Sequence, residues 1–206
     1  MEINNLEIIK PLLNWDDPND FYFVQILRRK KENPDNTSNS QTIKTYYVHS
    51  ADYLEAKFSE MKILSQHFHA RVYINLNRRN YEQLALQMMK KVTDCLINKA
   101  YKDVKNAYDS ICGNFHVEKE KKWVVDLDHD QYDSDDKYCI IKLIQEIGGA
   151  IYTEIPTLNG IHLITSPFNT RELSEKITVL WKNANKHYPD IQKNNPTLLY
   201  YGDNEI

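Results

Sequence analysis

Two periodicities run along the chain. Phe21-Tyr22-Phe23-Val24-Gln25-Ile26-Leu27, Ile43-Lys44-Thr45-Tyr46-Tyr47-Val48 and Ala70-Arg71-Val72-Tyr73-Ile74-Asn75-Leu76 are rich in aromatic and β-branched residues and read as strands. Between the last two, Leu54, Phe58, Met61, Leu64 and Phe68 recur at helical spacing, with Ser50 placed to cap the helix. A second stripe, Tyr81, Leu84, Ala85, Met88, Val92, Cys95 and Leu96, predicts a long helix. Residues 99–118 extend or repeat it, with Tyr101, Val104, Tyr108 and Ile111 inward, until Gly113-Asn114 stops it. Beyond residue 119 the elements are shorter. A strand at 121–128 is followed by a helix carrying Ile140, Leu143, Ile144 and Ile147 and closed by Gly148-Gly149. Two strands, 150–155 and 161–165, flank the turn Pro156-Thr157-Leu158-Asn159-Gly160. A helix with Leu173, Ile177, Leu180, Trp181 and Ala184 precedes a last strand, Thr197–Tyr201.

This order predicts an α+β protein. Residues 119–206 read β-α-β-β-α-β, the ferredoxin-like (RRM-like) order, in which two helices cover one face of a four-stranded antiparallel sheet. Residues 1–118 form an N-terminal α/β module packed with it, the two making one compact unit. In such a sheet the first strand is central and the third lies beside it, so side chains of strands 121–128 and 161–165 are expected to converge.

Composition narrows the class. Of 206 residues, 41% are hydrophobic and 27% charged, as in a soluble globular protein. No apolar run reaches the ~20 residues of a membrane span, and the polar start does not resemble a signal peptide, so a cytoplasmic location without membrane contact is expected. Cys95, Cys112 and Cys139 lack metal-ligand spacing, which predicts reduced thiols and no zinc. A net charge of −3 argues against coating nucleic acid through bulk charge, while leaving room for local basic patches. Two such patches stand out, Arg28-Arg29-Lys30-Lys31 at a hairpin tip beside the loop 33–40, and Arg78-Arg79. The first reads as a solvated hairpin end or as a set of phosphate contacts, and the second ends the strand 70–76.

The chemistry concentrates at Trp123-Val124-Val125-Asp126-Leu127-Asp128, where an apolar strand ends in alternating carboxylates. Residues i and i+2 of a strand share a face, so Asp126 and Asp128 point the same way. Side-by-side carboxylates repel, and a divalent cation such as Mg²⁺ or Mn²⁺, which selects hard oxygen ligands, relieves that cost. The same pattern also arises where a strand runs into an acidic solvated loop. Here Asp130, Asp133, Asp135 and Asp136 read as such a loop and a helix N-terminus, where negative charge is favoured. His162, just after Asn159-Gly160 on the strand expected beside the first, reads as a structural histidine, a metal ligand or a phosphate donor.

Taken together, Val124-Val125-Asp126-Leu127-Asp128 and Thr157-Leu158-Asn159-Gly160-Ile161-His162-Leu163-Ile164 resemble the archaeo-eukaryotic primase superfamily. The likeness is to the primase-polymerase domains of phages and plasmids and covers about residues 121–202. It implies nucleotidyl transfer with two Mg²⁺ or Mn²⁺ ions about 3.5–4 Å apart. Asp126 and Asp128 would hold the ions with a third carboxylate, best matched by Asp190 and otherwise by Asp203. His162, Asn159, Gly160 and Lys193 would meet the incoming nucleoside triphosphate, with Lys122 an additional cation. Arg28, Arg29, Lys30, Lys31, Arg78 and Arg79 would meet a DNA or RNA template. A helicase or other replication protein is an implied partner, in a bacterial, phage-infected or plasmid-bearing host.

Three other readings share parts of this pattern. A degenerate primase-like module would bind single-stranded nucleic acid or nucleotide without polymerising, using tyrosines as stacking surfaces. A haloacid-dehalogenase-type phosphatase also carries Asp-x-Asp at a strand end, but usually near the start of its domain and with Thr or Val where Asp130 stands here. A replication-initiator nuclease requires paired histidines, for which His67-Phe68-His69 is a formal match at a helix end.

Overall fold

The computed structural model describes residues 1–181 and 186–202. Ala184, at the end of the last predicted helix, and Asp203, the alternative third carboxylate, lie outside the described residues. The protein is α+β, with six α-helices and two sheets among the described residues. None of these helices is long and apolar enough to cross a membrane. The chain divides into two compact units, Met1–Lys119 with the chain from Leu199 onward, and Glu120–Leu198.

The first unit contains β1 (Glu2–Asn4), α1 (Leu6–Ile9), β2 (Asp20–Arg29), β3 (Ser40–Val48), α2 (Ala51–His67), β4 (Arg71–Ile74), β5 (Arg79–Asn80), α3 (Tyr81–Ile97) and α4 (Ala107–Asn114). Its sheet runs β1-β10-β4-β2-β3, where β10 is Thr197–Gly202, and β5 also pairs with β2. Strand β2 is antiparallel to β3, β4 and β5. Phe21, Tyr22, Phe23 and Val24 are consecutive and buried, so β2 is covered on both faces. Ser50 caps α2 by accepting from Tyr53 N at 3.1 Å, and Asn80 caps α3 by accepting from Glu82 N and Gln83 N.

Two sequence expectations change here. The α3 stripe is narrower than predicted, for Leu84 and Cys95 are buried while Tyr81 and Leu96 are exposed. The helix also does not run on into 99–118. Lys99 takes a left-handed backbone (φ 56°), and a 3₁₀ turn at Tyr101–Asn106 precedes α4, leaving Tyr101 exposed.

The second unit contains β6 (Trp123–Asp128), α5 (Ser134–Glu146), β7 (Ile151–Pro156), β8 (Gly160–Thr165), α6 (Thr170–Leu180) and β9 (Asp190–Gln192). Its sheet order is β7-β8-β6-β9, antiparallel throughout. Trp123, Val125 and Leu127 on β6 and Leu163 on β8 pack with Ile140, Leu143 and Ile144 of α5 and Leu173 and Ile177 of α6. Each such side chain contributes roughly 1.5–3 kcal/mol on burial. Asp133 caps α5 in a capping box with Asp136, whose carboxylate is held by Lys186 at 2.5 Å. The predicted last strand forms, but in the first sheet, where Tyr200, Tyr201 and Gly202 pair with β1. The fourth place in the second sheet belongs to β9, a segment too short and polar to be read as a strand from its sequence.

Arg79 shows how tightly the first unit is specified. It is fully buried and donates to Cys112 O at 2.7 Å, Gly113 O at 3.3 Å and Asn77 O. Cys112 and Gly113 lie in the last turn of α4, so the guanidinium satisfies carbonyls that a helix end leaves unpaired and meets the negative end of its dipole. Burial pushes the Arg79 pKa down to about 10, which still leaves the group charged at neutral pH. Arg79→Met is expected to lower stability by about 2–4 kcal/mol, the scale for stranding buried hydrogen-bonding groups. Urea unfolding should show this as a lower midpoint at an unchanged slope.

Candidate active site

The side of the second sheet that faces away from α5 and α6 is set by alternation along β6. Because Trp123, Val125 and Leu127 face the helices, Val124, Asp126 and Asp128 lie on the opposite face. Asp126 is directly opposite His162 on β8 and directly opposite Asp190 on β9. Directly paired residues of antiparallel strands project to the same side with Cβ atoms about 4.5–5.5 Å apart. Asp190, Asp126 and His162 therefore form one row across three strands. Asp128 adjoins the row, two residues along β6 and opposite Gly160. On the other side of the row, Val124 pairs with Ile164 and Gln192, and Val124 and Ile164 are buried.

Burial is graded along the row. Asp190 is exposed, the Asp126 side chain keeps 29% of its exposure and His162 keeps 11%. His162 Nε2 lies 3.5 Å from Asp126 Oδ1, and its Nδ1 lies 2.8 Å from Thr197 Oγ1. Gln192 donates to Asp190 Oδ2 at 2.7 Å, which orients the outer carboxylate. The phenol of Tyr132 registers the combined field. Its pKa is raised first by burial and then by the charges of Asp126, Asp128, Asp136 and Asp190, while its hydroxyl donates to His187 O at 2.9 Å. Among the described residues, no three or more His, Cys, Asp or Glu side chains form a closed ligand cluster. What the register provides is three carboxylates on adjoining positions of one face.

The turn before β8 supports the row through the backbone. Thr157 N donates to Gly160 O at 2.9 Å, Gly160 N donates to Thr157 Oγ1 at 3.1 Å, and His129 N donates to Asn159 O at 2.8 Å. A Cβ on Gly160 would fall 2.0 Å from Leu127 O and 2.7 Å from the Cα of Asp128. Gly160 thus serves close approach of two strands of this protein, and Asn159 contributes a backbone carbonyl while its side chain is exposed.

Several predicted site residues are placed elsewhere. Lys193 holds its ammonium over the Trp123 ring, 4.9 Å from the centroid, and Trp123 belongs to the helix-facing core. In the first unit Arg79 is fully buried and its guanidinium donates to backbone carbonyls. Arg78 is bound by Asp16, Asp20 and Glu118, so its charge is already matched within the unit. Arg28 is turned into its own loop, where it donates to Asn33, Asn36 and Asp35. That loop is organised by Arg28, with Asn36 Nδ2 returning to Arg28 O at 2.9 Å. Arg29, Lys30 and Lys31 are exposed.

Two residues of the site were not singled out from the sequence, Thr197 and Gln192. Gln192 had a usable signal, standing at i+2 from Asp190 and therefore on its face if the segment is extended. Thr197 had none, since its contact with His162 spans 35 positions.

No protein-family model, curated protein or solved structure matches the chain.

Gly160→Ala is expected to separate β8 from the end of β6, costing about 1–3 kcal/mol as an overpacked substitution does. Thermal unfolding would measure the loss. Amide exchange should rise first at Leu127–His129 and remain low in α5, since only the strand end is displaced.

Proposed function

We propose that the second unit is a ferredoxin-like module carrying a nucleotidyl-transfer site of the primase-polymerase kind. The observation that supports this most is the row Asp190–Asp126–His162 with Asp128 beside it. The antiparallel order β7-β8-β6-β9, with the Asp-x-Asp strand central and the histidine strand adjacent, is consistent with it. Asp126, Asp128 and Asp190 would hold the divalent ions. Bound there, Mg²⁺ or Mn²⁺ supplies Lewis-acid stabilisation of phosphoryl oxygens and a more acidic attacking hydroxyl. His162 offers a hydrogen bond to a phosphate oxygen of a nucleoside triphosphate placed over the row. Its small exposure and its contact with Asp126 keep the ring from wandering, so the donor is oriented before substrate arrives. A DNA or RNA template would supply the order of addition, and exposed Arg29, Lys30 and Lys31 remain candidates for sequence-independent phosphate contacts. A helicase or other replication protein fits this reading as a partner.

A second reading is nucleotide or single-strand binding without transfer. It is favoured by the Asp126–His162 contact, which already occupies one carboxylate oxygen, and by the engagement of Lys193 with Trp123.

Primer extension separates the two. Wild-type protein with a primed template, dNTPs or NTPs, and Mn²⁺ or Mg²⁺ should lengthen the primer. Asp126→Asn with Asp128→Asn should lower the rate by ~10²-fold or more, the scale of losing a principal electrostatic stabiliser, with an unchanged circular dichroism spectrum. Absence of both extension and dinucleotide synthesis, with nucleic-acid binding retained, would establish the binding reading instead.

A further inference from the structure

His162 has two ring nitrogens, and the contacts on them determine what the ring can present. Nδ1 is 2.8 Å from the hydroxyl of Thr197, a fully buried residue, and Nε2 is 3.5 Å from a carboxylate oxygen of Asp126. A carboxylate only accepts, so the neutral ring serves Asp126 when its proton is on Nε2. Nδ1 is then a lone pair, and a threonine hydroxyl, which can donate or accept, must donate to it. The alternative tautomer would place a lone pair against the carboxylate and leave the hydroxyl hydrogen without this partner.

We propose that Thr197 is the positioning residue of His162, its hydroxyl donating to Nδ1 and holding the ring as the Nε2–H tautomer. This deepens the reading of the same site and rests on it only for the identity of the ligand. A ring so held directs its one N–H into the carboxylate row, where Asp126 faces it in this structure and an incoming anionic oxygen would compete for it. It therefore suits an anionic oxygen, such as that of a phosphate, and not a metal ion, because Nε2 carries the proton and the Nδ1 lone pair is occupied. The three carboxylates are left as the metal-directed groups and the histidine as the anion-directed one. Thr197 acts through His162 and needs no contact with substrate.

Long-range ¹H–¹⁵N correlation spectra of the histidine rings test this without nucleotide, metal or activity. They would be recorded over a pH series reaching about 10, and the tautomer read on the high-pH plateau where the His162 signals stop moving. The His162 signals are assigned by their loss in His162→Gln. The expected wild-type pattern is a protonated Nε2 with an Nδ1 shifted upfield as a hydrogen-bond acceptor. Thr197→Val should move Nδ1 downfield to the position of an unbonded acceptor, and Thr197→Ser should keep the wild-type position. A proton on Nδ1 in the wild type, or an Nδ1 signal unmoved by Thr197→Val, would overturn the proposal. Should Thr197→Val fail to fold, the wild-type tautomer and the Thr197→Ser position still decide it. A negative primer-extension assay leaves these spectra unaffected, so the two ideas fail separately.

Discussion

The register between β6 and its two neighbours is the constraint on which the candidate site depends. Pairing Asp126 with His162 on one side and with Asp190 on the other puts three ionisable side chains side by side. A slip of one residue in either pairing would send its member of the row to the helix face. The register is fixed from below. Trp123, Val125 and Leu127 on β6 and Leu163 on β8 must meet α5 and α6, and a slipped strand would expose them. The apolar side of the sheet thus holds the polar side in place, and the hydrophobic core carries the geometry of the carboxylates.

Two small features refine that geometry. Gly160 lets β8 start against the backbone of Leu127 and Asp128, where a Cβ would overlap the Leu127 carbonyl. Thr197 reaches Nδ1 of His162 from the start of a strand whose later residues belong to the first sheet. One lacks a side chain and the other uses a single hydroxyl, yet both act on residues of the row. Their effects are of different kinds. Loss of the first disturbs the backbone, and loss of the second removes the hydrogen-bond partner of Nδ1.

The sequence made the elements legible where hydrophobic period was strong. Strands 21–27, 121–128 and 161–165 and the helices after Ser50 and around Ile140–Ile147 formed close to their predicted spans. It also indicated which β6 residues share a face, because period 2 needs no tertiary information. The strand β9 was not legible, since Pro189 precedes it and a polar run follows. Its three residues take strand form through pairing with β6 and not through their own composition. The destination of Thr197–Gly202 was equally hidden, for either sheet could have used that apolar strand. Charge was legible but its use was not. Arg78, Arg79 and Arg28 looked alike as basic residues beside strands. The fold gives one to three carboxylates, one to the end of α4 and one to a loop. Each of these partners lies far away in the sequence or across a turn of the same loop.

The proposed site requires the row to gather carboxylates for a divalent ion, with Asp190 as the member the sequence left open. Mn²⁺ binding followed by electron paramagnetic resonance tests it most directly, comparing wild type with Asp190→Asn. The wild-type protein is expected to bind Mn²⁺, and Asp190→Asn to weaken the affinity by about tenfold or more, some 1.4 kcal/mol. Equal affinity in the two proteins, or no Mn²⁺ binding by the wild type, would contradict the proposed site.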